Sequence, residues 1–334
     1  VSDLKQAIQR EYLKSASDPV YFMRKYCTIQ HPTKGKVKFD LYPFQEKCLT
    51  TFKDNRYNII LKARQLGIST LSAGYSLWMM LFHNDKNILV IATGKETAKN
   101  LVTKVRVMYE GLPQWLKTNT EEINKLSIRF ANGSQIKAIA SNESAGRSEA
   151  LSLLIIDEAA FIDRIDTIWT AAQQTLSTGG GCIALSTPNG VGNWFHKQWL
   201  GAEDGTNNFN TIRLHWTDHP DRDQVWRDEQ DKILGPSQAA QECDTDFLSS
   251  GRSVVDPAIL QWYKDEMIEA PIEEVGIDRG MWVWRQPDYT KEYIVVADVA
   301  RGDGSDFSAC QVFEVEDMEQ CAEYKGQLST TDYG

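Results

Sequence analysis

With 334 residues, 42% hydrophobic and 25% charged, the chain has the composition of a globular protein and is too long for one ordinary core, so two domains are expected. A net charge of −10 argues against a general nucleic-acid coat, and six scattered cysteines without a CxxC pair argue against structural zinc and for buried free thiols. No apolar run approaches a membrane span, and the charged N-terminus lacks a signal-peptide core, which predicts a protein retained in the cytoplasm. The charge is segregated. Residues 1–60 hold 11 Lys and Arg against 6 Asp and Glu, whereas residues 265–334 hold 5 against 17. The basic front suits phosphates or is simply a solvated face; the acidic tail repels nucleic acid or gathers carboxylates for metal ions.

The chain opens with a helix over Asp3 to Lys14 and a loop rich in Lys, Pro and Gly, after which LYPFQ at Leu41 to Gln45 begins a second helix. From Tyr57 apolar strands alternate with helical stretches: YNIILKA, a helix over Ser69 to His83, NILVIAT at Asn87 to Thr93, and a helix through Tyr109. Ile128 to Ala140 reads as a hairpin turning at Asn132-Gly133. LSLLIIDE, a helix near Ile165 to Leu176, and CIALSTPNG at Cys182 to Gly190 complete an α/β pattern with a mostly parallel sheet. A loop-rich stretch with Pro257, Pro271 and Pro287 then precedes YIVVADVA at Tyr293 to Ala300. The expected domains are 1–250, a linker over 251–285, and a second domain from 286 to 334.

LLIIDE is the most informative segment. An apolar strand ending in Asp157 and Glu158 puts two carboxylates on the sheet edge where open α/β folds bind ligands. An Asp there suits Mg²⁺, and the adjacent Glu suits orienting a water towards a γ-phosphate. The partner segment is KARQLGIST, Lys62 to Thr70, between strand and helix. Phosphate loops usually end Gly-Lys-Ser/Thr, whose lysine reaches the β/γ oxygens and whose hydroxyl meets Mg²⁺. Here Gly67-Ile68-Ser69-Thr70 puts isoleucine where the lysine belongs. Ser69 keeps the hydroxyl, and Lys62 and Arg64 offer cations from the other end of the loop, although surface charge at a strand end is the plain alternative. The helical Trp194, Trp199, Trp216 and Trp226 suit stacking on bases or, more simply, core packing.

KARQLGIST, LLIIDEAAF and LSTPNG, in this order and spacing, resemble the large terminase subunit of tailed bacteriophages, in its T4-like branch. The resemblance runs from LYPFQ to YIVVADVARGDGSDFSA. It implies an ASCE/RecA-like phosphate-loop ATPase followed by the start of an RNase H-like nuclease. It implies ATP and Mg²⁺ as ligands, with double-stranded DNA, a portal protein, a small terminase subunit and a homo-oligomeric ring as partners, acting in the host cytoplasm on a procapsid. Position by position, Gln45 resembles the adenine-reading glutamine. Lys62, Ala63, Arg64, Gln65, Leu66, Gly67, Ile68, Ser69 and Thr70 form the phosphate loop, with Lys62 matching members whose lysine has moved to its start and Arg64 an arginine found there. Asp157 and Ser69 would hold metal, Glu158 would be the catalytic carboxylate, and Ser186 and Thr187 would couple the γ-phosphate to motion. Arg147 lines up with an arginine implicated in hydrolysis.

In the implied nuclease, Asp298 takes the place of the first metal-binding acid and Asp306 is a weaker candidate, for Mg²⁺ or Mn²⁺. The chain is expected to end about two strands into that sheet, leaving the metal cage incomplete and the nuclease inactive. Two rivals remain: a helicase of the Asp-Glu-box class, which needs a second ATPase-like domain, and a nucleotide-sensing or DNA-binding module without turnover, favoured by Ile68. A dinucleotide enzyme fails because no GxGxxG follows the first strand.

Overall fold

The structure, a computed structural model, describes residues 2–31, 33–140, 150–247, 259, 262–263, 266–276, 278–300, 307–327, 329 and 331. The chain divides into two compact units, 1–254 and 255–334.

The first unit is built on an eight-stranded sheet. Its strands are β3 (Tyr57–Lys62), β4 (Asn87–Ala92), β5 (Thr120–Ile123), β6 (Ser127–Phe130), β7 (Gln135–Ala140), β8 (Leu153–Asp157), β9 (Gly181–Ser186) and β10 (Asn210–Leu214), in the order β10-β3-β9-β8-β4-β7-β6-β5. All neighbours from β10 to β7 are parallel, and β7, β6 and β5 form an antiparallel meander. The hairpin turns at Gly133, whose φ of 81° is left-handed.

A parallel sheet covered on both faces needs strands that are apolar on both sides, and the core divides accordingly. Ile60, Val90, Leu153, Ile155, Ile183 and Leu185 face one apolar cluster. That cluster is completed by α2 (Pro19–Tyr26), α3 (Pro43–Asp54), α4 (Ile68–Phe82) and α5 (Lys95–Gly111). Their strand neighbours Ile59, Leu61, Ile91, Leu154, Ile156 and Ala184 face a second cluster with α6 (Ile165–Leu176) and α7 (Trp194–Glu203). Helix α4 is apolar nearly all round because it is enclosed nearly all round. At Gly74 the approach is so close that a Cβ would sit 2.8 Å from the Met23 sulfur. Helix α1 (Ser2–Ser17) is tied on by its Ser15 carbonyl, which accepts from Trp78 Nε1 at 2.8 Å. Among the described residues, no helix is long and apolar enough to cross a membrane.

Several elements escape the sequence pattern. The Lys-rich loop holds a small hairpin, β1 (Thr28–His31) with β2 (Gly35–Lys38). β5 and β10 are too short and polar to announce themselves. The polar stretch after β10 becomes α8 (Gln224–Leu234) and α9 (Pro236–Cys243), whose packing is fixed by the buried Arg227 bridging Asp231 and Asp244, each at 2.6 Å. Trp194, Trp199 and Trp216 are buried core residues, which settles their role as packing; Trp226 carries the Arg222 guanidinium 4.3 Å above its ring.

The second unit is a five-stranded antiparallel sheet in the order β11-β12-β15-β14-β13. Its strands are β11 (Glu273–Val275), β12 (Met281–Val283), β13 (Tyr293–Asp298), β14 (Ser308–Glu314) and β15 (Gln320–Gly326). β11 and β12 fall in the stretch read from sequence as linker. Strand β13 leaves Val295 and Val296 exposed, unlike the apolar strands of the first unit.

Leu154 is fully buried in β8 between two parallel neighbours. Leu154→Ala is expected to destabilise the first unit by about 2–5 kcal/mol through the cavity it leaves, read as a lowered urea midpoint at unchanged slope.

Candidate active site

The C-terminal ends of β3, β9 and β8 lie side by side, so three short segments meet at one edge. Strand β8 delivers Asp157, 5% exposed, and the next residue, Glu158, takes a left-handed conformation with φ 56°. For a residue with a Cβ that costs roughly 1 kcal/mol or more, and it turns the chain sharply into Ala159–Phe161. The Ala160 amide donates to Ser186 Oγ at 3.2 Å, and its carbonyl accepts from Asn189 Nδ2 at 3.0 Å. Ser186 and its neighbour Thr187 are both buried, so the end of β9 is braced directly against the turn that presents Glu158.

The loop from Ala63 to Gly67 connects β3 to α4. Gln65 (φ 60°) and Gly67 (φ 76°) are left-handed, and a Cβ at Gly67 would lie 2.8 Å from Gln45 Nε2. Glycine is required there on both counts. The loop is held at almost every residue. The Ala63 amide donates to the Leu214 carbonyl at 2.8 Å and the Arg64 amide to the Glu242 carbonyl at 2.7 Å. The Leu66 carbonyl accepts from Gln45 Nε2 at 3.0 Å. Arg222 donates to the Arg64 and Gln65 carbonyls at 3.0 and 3.3 Å.

Two contacts join loop to carboxylates. Ser69 Oγ donates to Asp157 Oδ1 at 3.1 Å, and Lys62 Nζ donates to Glu158 Oε1 at 3.1 Å. Lys62 is almost wholly buried while Glu158 stays about one-third exposed, so the pair sits at the mouth of the cleft. A cavity of about 290 Å³ is lined by Lys62, Arg64, Gly67, Ser69, Lys104 and Glu158, and one of about 470 Å³ by Arg64, Thr93, Glu158, Phe161, Thr187 and Glu242. A larger opening of about 690 Å³ lies along α6 alone, between Asp166 and Thr175. It holds one ionisable group and no convergent polar set, so the chemistry belongs at the strand ends.

Burial pushes the Asp157 carboxyl above its usual range, with the Glu158 charge adding to the effect; Lys62, the Ser69 hydroxyl and Lys104 oppose it. A buried carboxylate that carries a hydroxyl at hydrogen-bond distance and remains under-compensated is a fitting site for a divalent cation. Ser69 and Asp157 therefore suit Mg²⁺. Among the described residues, no group of three or more His, Cys, Asp and Glu is placed to hold a metal.

The structure thus brings together Lys62, Ser69, Asp157, Glu158, Ser186 and Thr187, with Thr70 also lining the smaller cavity. It places three residues differently from the simplest reading. Gln45 is 3% exposed, with its amide nitrogen on Leu66 and its carbonyl oxygen accepting from the Tyr42 amide at 3.1 Å, so it braces the loop. Ile68 is 1% exposed and belongs to the core, which explains why no cation stands there. Arg64 is 63% exposed and pairs with Glu242 at 3.2 Å. Arg147 and Asp306 lie outside the described residues. Asp298 ends β13, opposite Ala309, and is exposed. Sequence reasoning missed Lys104, Arg222 and Glu242. For the last two no local motif exists, but Lys104 had a signal: it lies three residues after Leu101 and four before Met108, inside the apolar stripe of α5.

The family model described as terminase large subunit, T4likevirus-type, N-terminal, matches residues 59–255. The chain belongs to that family. Among curated proteins, the probable terminase large subunit gp28 of Escherichia phage Mu is 24% identical over 200 residues, covering 50% of this chain and 36% of gp28. The match therefore spans about a third of that terminase. The large terminase ATPase domain of Thermus phage P74-26 superposes with a TM-score of 0.52 at 20% identity, covering 63% of this chain and 94% of that one. The HK97 bacteriophage large terminase gives 0.57 at 16% identity over 93% of this chain and 67% of its own. These likenesses speak for the fold, a mostly parallel sheet with flanking helices of the RecA-like kind.

The raised Asp157 carboxyl carries a stability consequence. A carboxyl whose folded pKa lies above its unfolded value contributes stability that is full below the unfolded pKa and lost as pH rises through the folded one. In Mg²⁺-free buffer, Asp157→Asn is expected to melt higher than the unsubstituted chain at pH 7. That gap should close as pH falls towards the ordinary aspartate range, measured by thermal melts of both across pH.

Proposed function

We propose that this terminase chain is the ATP-hydrolysing motor subunit that drives double-stranded viral DNA into a capsid. The observation that carries this reading is the pair of contacts across one cleft, Ser69 to Asp157 and Lys62 to Glu158, at the edge of a terminase-type core. The triphosphate lies along the loop from Lys62 to Thr70, whose backbone amides at the start of α4 favour anions. Ser69 and Asp157 would hold Mg²⁺, which when bound offsets charge on the phosphate oxygens. Glu158 orients the attacking water and accepts its proton; its partial exposure leaves room for that water beside the carboxylate. Ser186 stands one hydrogen bond from the turn bearing Glu158, so a shift of that turn passes to β9 and Thr187. Gln45, whose amide is engaged by Leu66 and Tyr42, would serve adenine recognition through the position it gives the loop. Arg147 completes the hydrolytic set. Grip on DNA through phosphates makes translocation sequence-independent and salt-sensitive.

The second unit is proposed as part of an RNase H-like, metal-dependent endonuclease, with Asp298 at a strand end as its first ligand and Asp306 as another. A homo-oligomeric ring acting with a portal protein and a small terminase subunit in the host cytoplasm completes the picture. The observation favouring the rival, a nucleotide sensor without turnover, is that Lys62 and Glu158 engage each other, leaving neither committed to a nucleotide.

Mg²⁺-dependent phosphate release with and without double-stranded DNA separates the two. Glu158→Ala is expected to lower kcat by about 10²–10⁴-fold while ATP still binds. Lys62→Ala should weaken both binding and turnover. ATP binding without turnover by the unsubstituted chain, even in the assembled ring, would leave the sensor.

A further inference from the structure

The phosphate loop lacks the lysine that normally reaches the terminal phosphates, and the structure shows how each available cation is deployed. Ile68, at the lysine position, is a core residue. Lys62 is bound to Glu158, and Arg64 is turned out to Glu242. Among the described residues, one further cation lines the cavity that holds Gly67, Ser69 and Glu158: Lys104, from the middle of α5. It is half-buried and has no ion pair or hydrogen-bond partner among the described residues. Its stem follows the apolar stripe that runs through Leu101, Val105 and Met108, so the helix that packs on α4 and β4 delivers an ammonium to the loop from outside the loop's own sequence.

The geometry points to Lys104 as a phosphate-binding residue, supplying from α5 the cation that position 68 does not provide. This rests on the nucleotide-binding reading of the cleft and adds a residue to it. An unpaired ammonium in a partly buried cavity is costly. Burial pushes the Lys104 ammonium below its usual range, with Asp157 opposing that and Lys62 adding to it. Two amines, Lys62 and Lys104, therefore converge on the same cavity; among the described residues Lys62 has a carboxylate at ion-pair distance and Lys104 does not, and the phosphates of a nucleotide are of the size and charge to partner it. Lys62 is the cation that must be taken from Glu158 when nucleotide enters; Lys104 is available without breaking any contact.

The test is equilibrium binding of ATP-γ-S with Mg²⁺, by calorimetry, to the unsubstituted chain, Lys104→Met and Lys104→Arg, together with thermal melts of each. Lys104→Met is expected to weaken binding about 10–100-fold, the worth of one charge-assisted hydrogen bond. It should melt at or above the unsubstituted chain without nucleotide, because an unpaired buried charge is gone, and gain less from ATP-γ-S. Lys104→Arg should recover most of the affinity. Unsubstituted protein that binds while Lys104→Met binds within twofold of it overturns the role of Lys104 alone. A Lys104→Met chain that melts well below the unsubstituted one and is not rescued by Lys104→Arg assigns the residue to packing and also overturns it. Absence of ATP-γ-S binding to the unsubstituted chain overturns both this assignment and the nucleotide reading beneath it.

Discussion

The structure depends on keeping charge at the end of strands that are otherwise sealed. β3, β8 and β9 are covered on both faces, so their side chains alternate between two apolar cores, and the polar groups of the candidate site gather at the C-terminal edge. There Lys62, Asp157, Ser186 and Thr187 are all nearly buried. Each must be compensated, because a buried charge or hydroxyl without a partner costs several kcal/mol. Lys62 finds Glu158, Asp157 finds Ser69, and Ser186 finds the Ala160 amide. These three contacts link three segments that are far apart in sequence, and they fix the register in which the sheet edge becomes a site.

The loop adds a second layer of constraint. Its left-handed residues at 65 and 67 leave amides and carbonyls pointing away from regular structure, and each is met from a different direction: Gln45 from α3, Leu214 from the end of β10, Arg222 from the segment before α8, and Glu242 from α9. The Arg64 side chain returns to the same Glu242 whose carbonyl holds its amide. The loop is thus coupled to α9 through the Glu242 carbonyl and to the segment before α8 through the Arg222 guanidinium. A displacement of α9 cannot leave Arg64 in place.

Much of this was legible in sequence, for reasons that can be named. Runs such as YNIILK and LLIID announce strands buried on both faces, and the adjacent Asp-Glu pair announces where the sheet edge becomes polar. Asn132-Gly133 fixed the hairpin because only a few residues accept that turn. Ser69 and Asp157, singled out from two separate motifs, lie at hydrogen-bond distance. The bracing partners were hidden because the Arg222 guanidinium and the Glu242 carbonyl meet main-chain atoms of a loop more than 150 residues away in sequence, a contact that carries no local signature. Gln45 is expected from the resemblance to read adenine, whereas its amide is engaged at both ends, by the Leu66 carbonyl and the Tyr42 amide. Short strands such as β1, β5 and β10 have too few residues for a period to show. The five-stranded sheet of the second unit was visible only where β13 is continuously apolar, and even there burial did not follow, since Val295 and Val296 are exposed.

The Lys62–Glu158 pair sets the order of events that the cleft allows. While the carboxylate holds the lysine, it is oriented along the ion pair and its water-facing oxygen is not free to aim elsewhere. On the proposed nucleotide reading, phosphates would compete with one partly exposed carboxylate for a buried ammonium, beside a loop held by Gln45 and Arg222. Glu158 would then be released on that reading, and its left-handed backbone turns the chain away from the line of β8. The same strained residue begins the turn whose Ala160 amide rests on Ser186. If the cleft takes a nucleotide as proposed, freeing of the carboxylate and movement at the end of β9 would both follow from exchanging this one ion pair for contacts to phosphate.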